Sequence, residues 1–315
     1  MSRLSQYQNT LMRTLSFEGI GVHSGKPVSM TLSPADADTG VVFSRVDLPG
    51  SPDIAGNVSG VSATALCTVL GDMRGAHVVT IEHLMAALRA MEVDNVLVEL
   101  DAPEVPVLDG SSSVFVEAIL EGGLRRQASL RNCIRVLKPV RVDNGASWGV
   151  LTPHDRSRFE VEIDFAQDAI GRQIFAADLT PETFRRELSR ARTFGFMADV
   201  ERLWGAGFAL GSSLENSVVI GDDERIINPE GLRYVDEFVR HKTLDAVGDL
   251  ALAGAPILGT FRSYRGGHGL NAMMLQALFA DRSAWEWTTQ ARPSAQSAGA
   301  SVMTAAAAAY EASKL

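Results

Sequence analysis

One stretch of the sequence carries four ionisable side chains that follow one another at steps of four residues: Glu237, His241, Asp245 and Asp249. In a helix, such residues lie along roughly one face, so His241 and Asp245 can bind the same metal ion. A carboxylate ladder with one histidine is also typical of a solvated helix face. The spacing alone therefore leaves a metal site and an ordinary charged surface both open.

A second candidate pair, Glu82 and His83, opens a helix predicted over residues 81–91, with Thr80 as its N-cap. The positive end of a helix favours an ionised carboxylate and a neutral imidazole, which are the forms of a general base and a metal ligand. A solvated first turn is the alternative. The chain has no HExxH motif, which excludes the helix of the familiar zinc proteases.

Two other segments carry groups that can act on a substrate. His268 stands in a Gly-Gly-His-Gly turn, where glycines allow a ligand to approach closely, although a surface histidine fits equally well. Residues 192–196 combine a cation, a hydroxyl and two aromatic rings, which could contact a substrate. An ordinary loop that leads into the core accounts for these residues equally well. The glycine-rich segment 19–25 is out of register for GxGxxG and precedes no Walker lysine, which excludes a dinucleotide or P-loop site.

The elements that must position these groups follow an α+β order. Runs of β-type residues predict strands at 27–32, 40–44, 65–70, 96–100, 133–142, 149–152, 158–165 and 256–264. Apolar spacing and capping residues predict helices at 81–91, 111–121, 181–191 and 228–253, the third capped by Thr180 and the last opened by Asn228. Each half has a histidine-bearing helix that leads into a strand, which suggests a duplicated unit or a chance likeness.

The composition of the 315-residue chain, 46% hydrophobic and 21% charged, is that of a globular protein with about two domains. A net charge of −9 argues against a dedicated nucleic-acid surface. No apolar run is long enough for a signal peptide or a membrane span, and two cysteines are too few for a disulfide framework. We expect a cytoplasmic enzyme or binding protein.

The polar segment 124–132 is the predicted boundary between the halves. We expect a first α+β domain at 1–128 with Glu82 and His83, and a second at 129–282 with the remaining candidates. An Ala- and Ser-rich tail at 283–315 is expected to be helical or partly disordered.

Eight segments together point to one family: GIGVHSG (19–25), TIEHL (80–84), DNVLV (94–98), PVLDGS (106–111), ARTFGFM (191–197), NPEGLR (228–233), DEFVRHKTLDAVGD (236–249) and GGHGLN (266–271). Between about residues 10 and 280, the sequence resembles the zinc-dependent UDP-3-O-acyl-N-acetylglucosamine deacetylases (LpxC) of Gram-negative lipid A biosynthesis. The resemblance implies two related α+β domains whose helices are sandwiched between two sheets, with a metal site where the domains meet.

The resemblance also implies a role for each candidate. One Zn²⁺ is expected on three ligands: His83, His241 and Asp245. Four catalytic residues are expected: Glu82 as general base, Thr193 as an oxyanion donor, His268 as a protonated acid or oxyanion stabiliser, and Asp249 as the group that orients it.

The substrate contacts implied by the resemblance fall into two groups. Lys242, Phe194, Arg265, Asp164 and Phe165 are expected at the nucleotide-sugar portion. Met197 and Val200 belong to an apolar segment, 196–214, that resembles the acyl-chain tunnel of the family. Arg265 stands where a lysine is common, and Ser147 stands where another cation can occur.

The implied reaction is hydrolysis of the acetamide of the acylated UDP-sugar, with release of acetate. A nucleotide-sugar-binding protein that has lost catalysis is one alternative, and the complete set of residues speaks against it. A second alternative is a deacetylase that acts on a different acylated sugar nucleotide. Only the departures from the family pattern at Ser147 and Arg265 favour it. The acylated UDP-sugar is the expected partner, and the protein is expected to be a monomer.

Overall fold

The computed structural model describes residues 5–289, and its first half is a layer of short strands with two helices. The strands are β1 (Tyr7–Leu11), β2 (Leu15–Ile20), β3 (Pro27–Pro34), β4 (Val41–Arg45), β5 (Ile54–Ala55), β6 (Val61–Ala63), β7 (Val69–Gly71), β8 (His77–Val79), β9 (Val96–Leu100) and β10 (Leu124–Leu130). The helices are α1 (Glu82–Ala90) and α2 (Ser113–Gly122). One sheet has the order β2-β3-β9-β4-β5, and a smaller one has the order β6-β7-β8.

The second half is built around a seven-stranded sheet. The strands of this half, all in that sheet except β16 and β17, are β11 (Cys133–Val136), β12 (Val140–Asn144), β13 (Ser147–Pro153), β14 (Ser157–Asp164), β15 (Arg172–Asp178), β16 (Phe194–Phe196), β17 (Val218–Ile220), β18 (Ile257–Tyr264) and β19 (Trp285–Thr288). Its helices are α3 (Pro181–Thr183), which continues into a π-helical segment at Phe184–Leu188, α4 (Met197–Gly205), α5 (Glu237–Ala251) and α6 (His268–Ala280). Strand β18 is central and pairs with β11, β13 and β14, while β16 and β17 form a separate pair.

Helices from the two halves share one core. Helix α1 packs along α5, which in turn contacts α6 and strands β14 and β15. All residues of α1 except Arg89 are buried, so this short helix has no solvated face. The buried apolar side chains of both halves form one continuous cluster. The predicted α+β class is confirmed, and the site residues on α1 and α5 lie inside this core.

The capping roles predicted for Thr80 and Asn228 are wrong, and in both cases the polar side chain binds a loop instead. Thr80 has a left-handed backbone with φ of 59° and donates its hydroxyl to Glu104, so α1 has no side-chain cap. Asn228 accepts from the Val219 amide and donates to two carbonyls of the preceding loop, and α5 begins only at Glu237. The cap predicted at Thr180 is confirmed.

The Gly-Gly-His-Gly segment was predicted as a turn, but His268 is the first residue of α6. The preceding Gly267 has an extended backbone and is the N-cap residue of this helix.

The predicted boundary and tail meet strands in the structure. Strand β10 occupies the boundary segment and pairs antiparallel with β1, and the division at 128 stays a prediction. Strand β19 lies at the start of the predicted tail and pairs with β11, while residues 290–315 lie outside the described part. None of the helices within residues 5–289 is long and apolar enough to cross a membrane.

A single glycine allows α1 and α5 to approach each other. A Cβ atom added to Gly248 would lie 2.0 Å from the carbonyl oxygen of Glu82. Because that oxygen belongs to the backbone of α1, the contact cannot be relieved by a side-chain rotation. The close crossing of the two helices therefore depends on Gly248.

We expect Gly248→Ala to lower the free energy of unfolding by about 1–3 kcal/mol, because the helices must move apart. Urea unfolding measures the change. Gly205→Ala is the matched control, since its added Cβ meets no atom within 4 Å in α4. Equal stabilities of the two variants would contradict this account of the crossing.

Candidate functional site

Three buried side chains from α1 and α5 lie close enough to hold one metal ion. The ligand atoms of His83, His241 and Asp245 all lie within 4.8 Å of one another. The Nε2 atoms of His83 and His241 are 3.6 Å and 3.4 Å from the same carboxylate oxygen, Asp245 Oδ1. That oxygen is buried and accepts no hydrogen bond within residues 5–289. A buried carboxylate oxygen without a donor, facing two imidazole nitrogens, fits a bound cation.

Neighbouring groups prepare two of these side chains as ligands. His241 Nδ1 lies 3.1 Å from the Ala191 carbonyl oxygen, and a proton on Nδ1 leaves the Nε2 lone pair facing Asp245. Burial lowers the pKa of His241 to about 3, which keeps the ring neutral. Lys242 Nζ donates to Asp245 Oδ2 at 2.9 Å, so Oδ1 is the oxygen left for a metal.

His268 lies beside the three ligands, between two carboxylates. Its Nδ1 atom is 2.9 Å from Asp249 Oδ2, and its Nε2 atom is 3.7 Å from Glu82 Oε1. Burial alone would lower the pKa of His268, but the charges of Asp249 and Glu82 raise it to about 10. Burial raises the pKa of Glu82, and His268 opposes that rise. The site therefore holds a protonated imidazole next to a carboxylate with increased proton affinity.

Two residues that the sequence analysis missed hold this pair in place. Thr68 donates its hydroxyl to Asp249 Oδ1 at 2.5 Å and its amide to Glu82 Oε2 at 3.2 Å. Asn271 Nδ2 donates to Asp249 Oδ2 at 2.8 Å. Asn271 follows His268 by three residues, so a predicted helix there would have placed both side chains on one face. No sequence pattern marks Thr68.

Aromatic rings lead away from the three candidate metal ligands toward β14. The ring of Phe194 has its centroid 6.2 Å from that of His241 and 5.8 Å from that of Phe165. Lys242 Nζ lies 5.6 Å from the Phe194 centroid. Phe194, Phe165 and Lys242, all expected at the substrate, are thus neighbours of the ligand cluster.

The other expected polar contacts lie further along the same elements. Asp164 accepts a hydrogen bond of 2.6 Å from the Tyr264 hydroxyl. Arg265 is exposed, and its carbonyl oxygen accepts from the Ser147 hydroxyl at 2.7 Å. Thr193 is fixed through its backbone, since its amide donates to the Gly110 carbonyl. None of these contacts joins Thr193, Asp164 or Arg265 to the candidate metal ligands.

The apolar segment expected to bind an acyl chain contains α4, in which no residue is buried. Met197 is exposed and Val200 is half-buried. Beyond α4, the ring of Phe208 lies edge-on to His23, with 5.5 Å between the centroids. The segment therefore presents apolar side chains that the core does not use.

Glu104, a second group missed from the sequence, connects this segment to α1. Glu104 is 1% exposed, and its carboxylate accepts from the amides of His23 and Ser24 and from the Thr80 hydroxyl. A Cβ atom at Gly21 would lie 2.0 Å from Glu104 Oε2, so the glycine-rich loop can close on the carboxylate only with glycine there. The acid stands in a Pro-flanked loop without a recognisable motif.

We expect the stability contributed by His268 to depend on pH above neutrality. Because its folded pKa of about 10 exceeds the ordinary 6.5, the contribution is complete below pH 6.5 and is lost as the pH rises through 10. Asp249→Asn removes the largest cause of the rise, so the imidazole is expected to titrate at lower pH. An NMR titration of the imidazole and urea unfolding across this range measure both effects.

The control is Asp222→Asn, at an exposed position far along the chain from these residues. An unchanged His268 titration in Asp249→Asn would contradict the assignment of the shift.

Comparison with known proteins gives one consistent result. The family model for UDP-3-O-acyl N-acetylglycosamine deacetylase, LpxC, matches residues 8–280. Proteins named UDP-3-O-acyl-N-acetylglucosamine deacetylase from Brucella ovis, Brucella abortus and Brucella melitensis are each 57% identical to this chain over 283 residues. Each alignment covers 90% of this chain and 99% of the relative. The chain therefore belongs to the LpxC family of UDP-3-O-acyl-N-acetylglucosamine deacetylases.

Proposed function

We propose that the protein hydrolyses the acetamide of UDP-3-O-acyl-N-acetylglucosamine in lipid A biosynthesis, with a single Zn²⁺ and the side chains described above. The observation that carries the proposal is the buried set of His83, His241 and Asp245 beside the Glu82–His268 pair. Family membership and the names of the relatives give the reaction and the substrate.

The three proposed ligands suit zinc in both type and number. Two neutral imidazoles and one carboxylate form the ligand set of a catalytic zinc site, in which three protein ligands leave a further position open. Zinc bound there would lower the pKa of water and polarise the acetamide carbonyl. The unpaired Oδ1 atom of Asp245 is the feature of this chain that fits such an ion best.

Glu82 is proposed to take the proton from the attacking water. Its carboxylate is buried beside the proposed ligand His83, and burial raises its pKa toward neutral pH, where a general base works best. The water oxygen bonds to the acetamide carbon, and the excess proton passes to Glu82. The Thr68 amide and His268 hold the carboxylate in place.

His268 is proposed to supply the positive charge and the proton that C–N cleavage requires. A histidine whose pKa is about 10 is protonated at neutral pH, so it can stabilise the negative charge on the carbonyl oxygen. As the C–N bond breaks, the amine nitrogen takes a proton and acetate leaves. Asp249 orients the imidazole through Nδ1, which leaves Nε2 to face the reacting atoms. Thr193 is proposed as a further hydrogen-bond donor to the oxyanion.

Substrate contacts are proposed on both sides of the ligand cluster. Lys242 and Phe194 would contact the sugar, with Phe165, Asp164 and Arg265 toward the nucleotide. Met197 and Val200 would line the path of the acyl chain, in agreement with the apolar exposure of their segment.

We further propose that the protein acts as a cytoplasmic monomer, because one chain supplies every group of the site and both cysteines are free. A binding protein that has lost catalysis is the weaker alternative, since base, acid and ligands lie together.

Removal of the metal is the first test. Treatment with a chelator is expected to abolish acetate release from the acylated UDP-sugar, and added Zn²⁺ is expected to restore it. Glu82→Gln keeps the shape of the side chain but not its basicity, and we expect a loss of about 10²–10⁴-fold in turnover. Its metal content, measured by elemental analysis, should equal that of the wild type. Full activity after chelation would refute the zinc mechanism.

His268→Gln tests whether this histidine acts on the reaction rather than on the metal. We expect turnover to fall by about 10²–10⁴-fold while the metal content stays the same. His83→Gln is the comparison variant, and it is expected to lose the metal together with the activity. Loss of bound metal in His268→Gln would contradict the assigned role.

A further inference from the structure

Glu104 is a buried acid that the proposed reaction does not use. Its Oε1 atom accepts from the His23 amide at 2.9 Å and from the Thr80 hydroxyl at 3.0 Å. Its Oε2 atom accepts from the Ser24 amide at 2.9 Å and from the Ser24 hydroxyl at 2.7 Å. A carboxylate has about four lone-pair positions, so these four donors occupy all of them. The carboxylate is therefore placed to join two segments of the chain rather than to contact a substrate.

One of these donors belongs to the residue that leads into α1. Thr80 lies two residues before Glu82, and its backbone is left-handed, with φ of 59°. A β-branched residue rarely adopts this conformation, which persists only where the surrounding structure holds it. Here it is held by the bond to Glu104 and by backbone hydrogen bonds of Val79 to both neighbours of Glu104. The loop that carries Glu104 thus fixes the start of α1.

The other donors belong to the glycine-rich loop 19–25, which supports the apolar segment 196–214. The His23 carbonyl accepts from the Leu210 amide at 3.1 Å, and a second backbone hydrogen bond of 3.0 Å follows from the Gly211 amide. A Cβ atom added to Gly211 would lie 2.3 Å from a carbonyl oxygen of the loop, so the two backbones are in direct contact. A displacement of the apolar segment is therefore passed on to the loop.

We propose that Glu104 is a positioning residue that couples binding of the acyl chain to the placement of Glu82 and His83. The inference rests on the proposed function, since it takes the apolar segment 196–214 as the acyl site. A long acyl chain that fills this segment presses it onto the glycine-rich loop, and Glu104 passes the constraint to Thr80 and the start of α1. Binding energy from a remote part of the substrate then acts at the reacting centre.

Glu104→Gln tests the coupling with an isosteric change. A carboxamide accepts only through its oxygen, so two of the four donors lose their acceptor. Acetate release by the full-length, metal-loaded protein is measured with two substrates, the 3-O-dodecanoyl and 3-O-butanoyl derivatives of UDP-N-acetylglucosamine. We expect the ratio of kcat for the long chain to kcat for the short chain to fall about tenfold, with a smaller change in KM, because misplaced reacting groups lower kcat.

The matched control is Glu117→Gln, at an exposed position on α2, which should keep the wild-type ratio. Two variants of Thr80 keep the test decisive if Glu104→Gln does not fold. Thr80→Val removes the hydroxyl that binds Glu104 and is expected to lower the same ratio. Thr80→Ser keeps the hydroxyl and is expected to keep the ratio.

The possible results separate this inference from the proposed function. A wild-type protein that releases no acetate from either substrate would refute the proposed function, and this inference with it. A wild type without a kcat preference for the long chain would overturn the coupling alone. So would an equal loss of kcat with both substrates in Glu104→Gln, because a purely structural role lowers both rates alike.

Discussion

The close crossing of α1 and α5 is the constraint on which the rest of the structure depends. Each helix brings ionisable side chains into the core, and neither helix alone can satisfy them. Gly248 lets the backbones approach until His83 of one helix faces Asp245 of the other, 3.6 Å from Nε2 to Oδ1. Strands β14 and β15 pack against α5, and α2 packs against α1. If the helices crossed further apart, the same ionisable residues would be buried without partners from the other helix. Burial without a partner is the most costly arrangement for charged groups.

Hydrogen bonds divide the charged groups at this crossing into two sets: one around Asp245, with a neutral histidine, and one around Asp249, with a protonated histidine. Lys242 binds one oxygen of Asp245, and the other oxygen faces the imidazoles of the ligands. Asp249 accepts hydrogen bonds from Thr68, Asn271 and His268. Its carboxylate is fixed by these donors and stabilises the positive charge of the His268 imidazole. Burial acts on His241 and His268 alike, yet the pKa falls to about 3 for one and rises to about 10 for the other. The charges of Asp249 and Glu82 both raise the pKa of His268, whereas His241 faces the single carboxylate of Asp245, whose effect His83 and Lys242 oppose.

Sequence patterns predicted the parts of this site that depend on local spacing. Strand β9 has the predicted bounds, and the four-residue steps of α5 place His241 and Asp245 side by side as expected. The same spacing predicted Glu237 on that face, but its carboxylate pairs with Arg192 instead. Thr68 and Glu104 were missed because their contacts join distant segments, and such contacts leave no periodic signal. Asn228 misled because its carboxamide caps a helix or braces a loop equally well, and only the tertiary structure decides between them.

The short segment from Ala191 to Phe194 shows how one stretch of backbone coordinates the functions of the site. The Ala191 carbonyl sets the proton position on His241, a proposed metal ligand, and the next residue, Arg192, is buried in an ion pair with Glu237. That pair anchors the segment to the first turn of α5, one turn before the ligand. Phe194 then turns its ring toward His241 and Lys242. Because these contacts come from three residues within a stretch of four, a shift of the segment would disturb the His241 tautomer and the proposed substrate contact together. The Arg192–Glu237 pair is therefore a structural requirement of the site, although neither side chain forms a hydrogen bond with the proposed metal ligands in the described part of the chain.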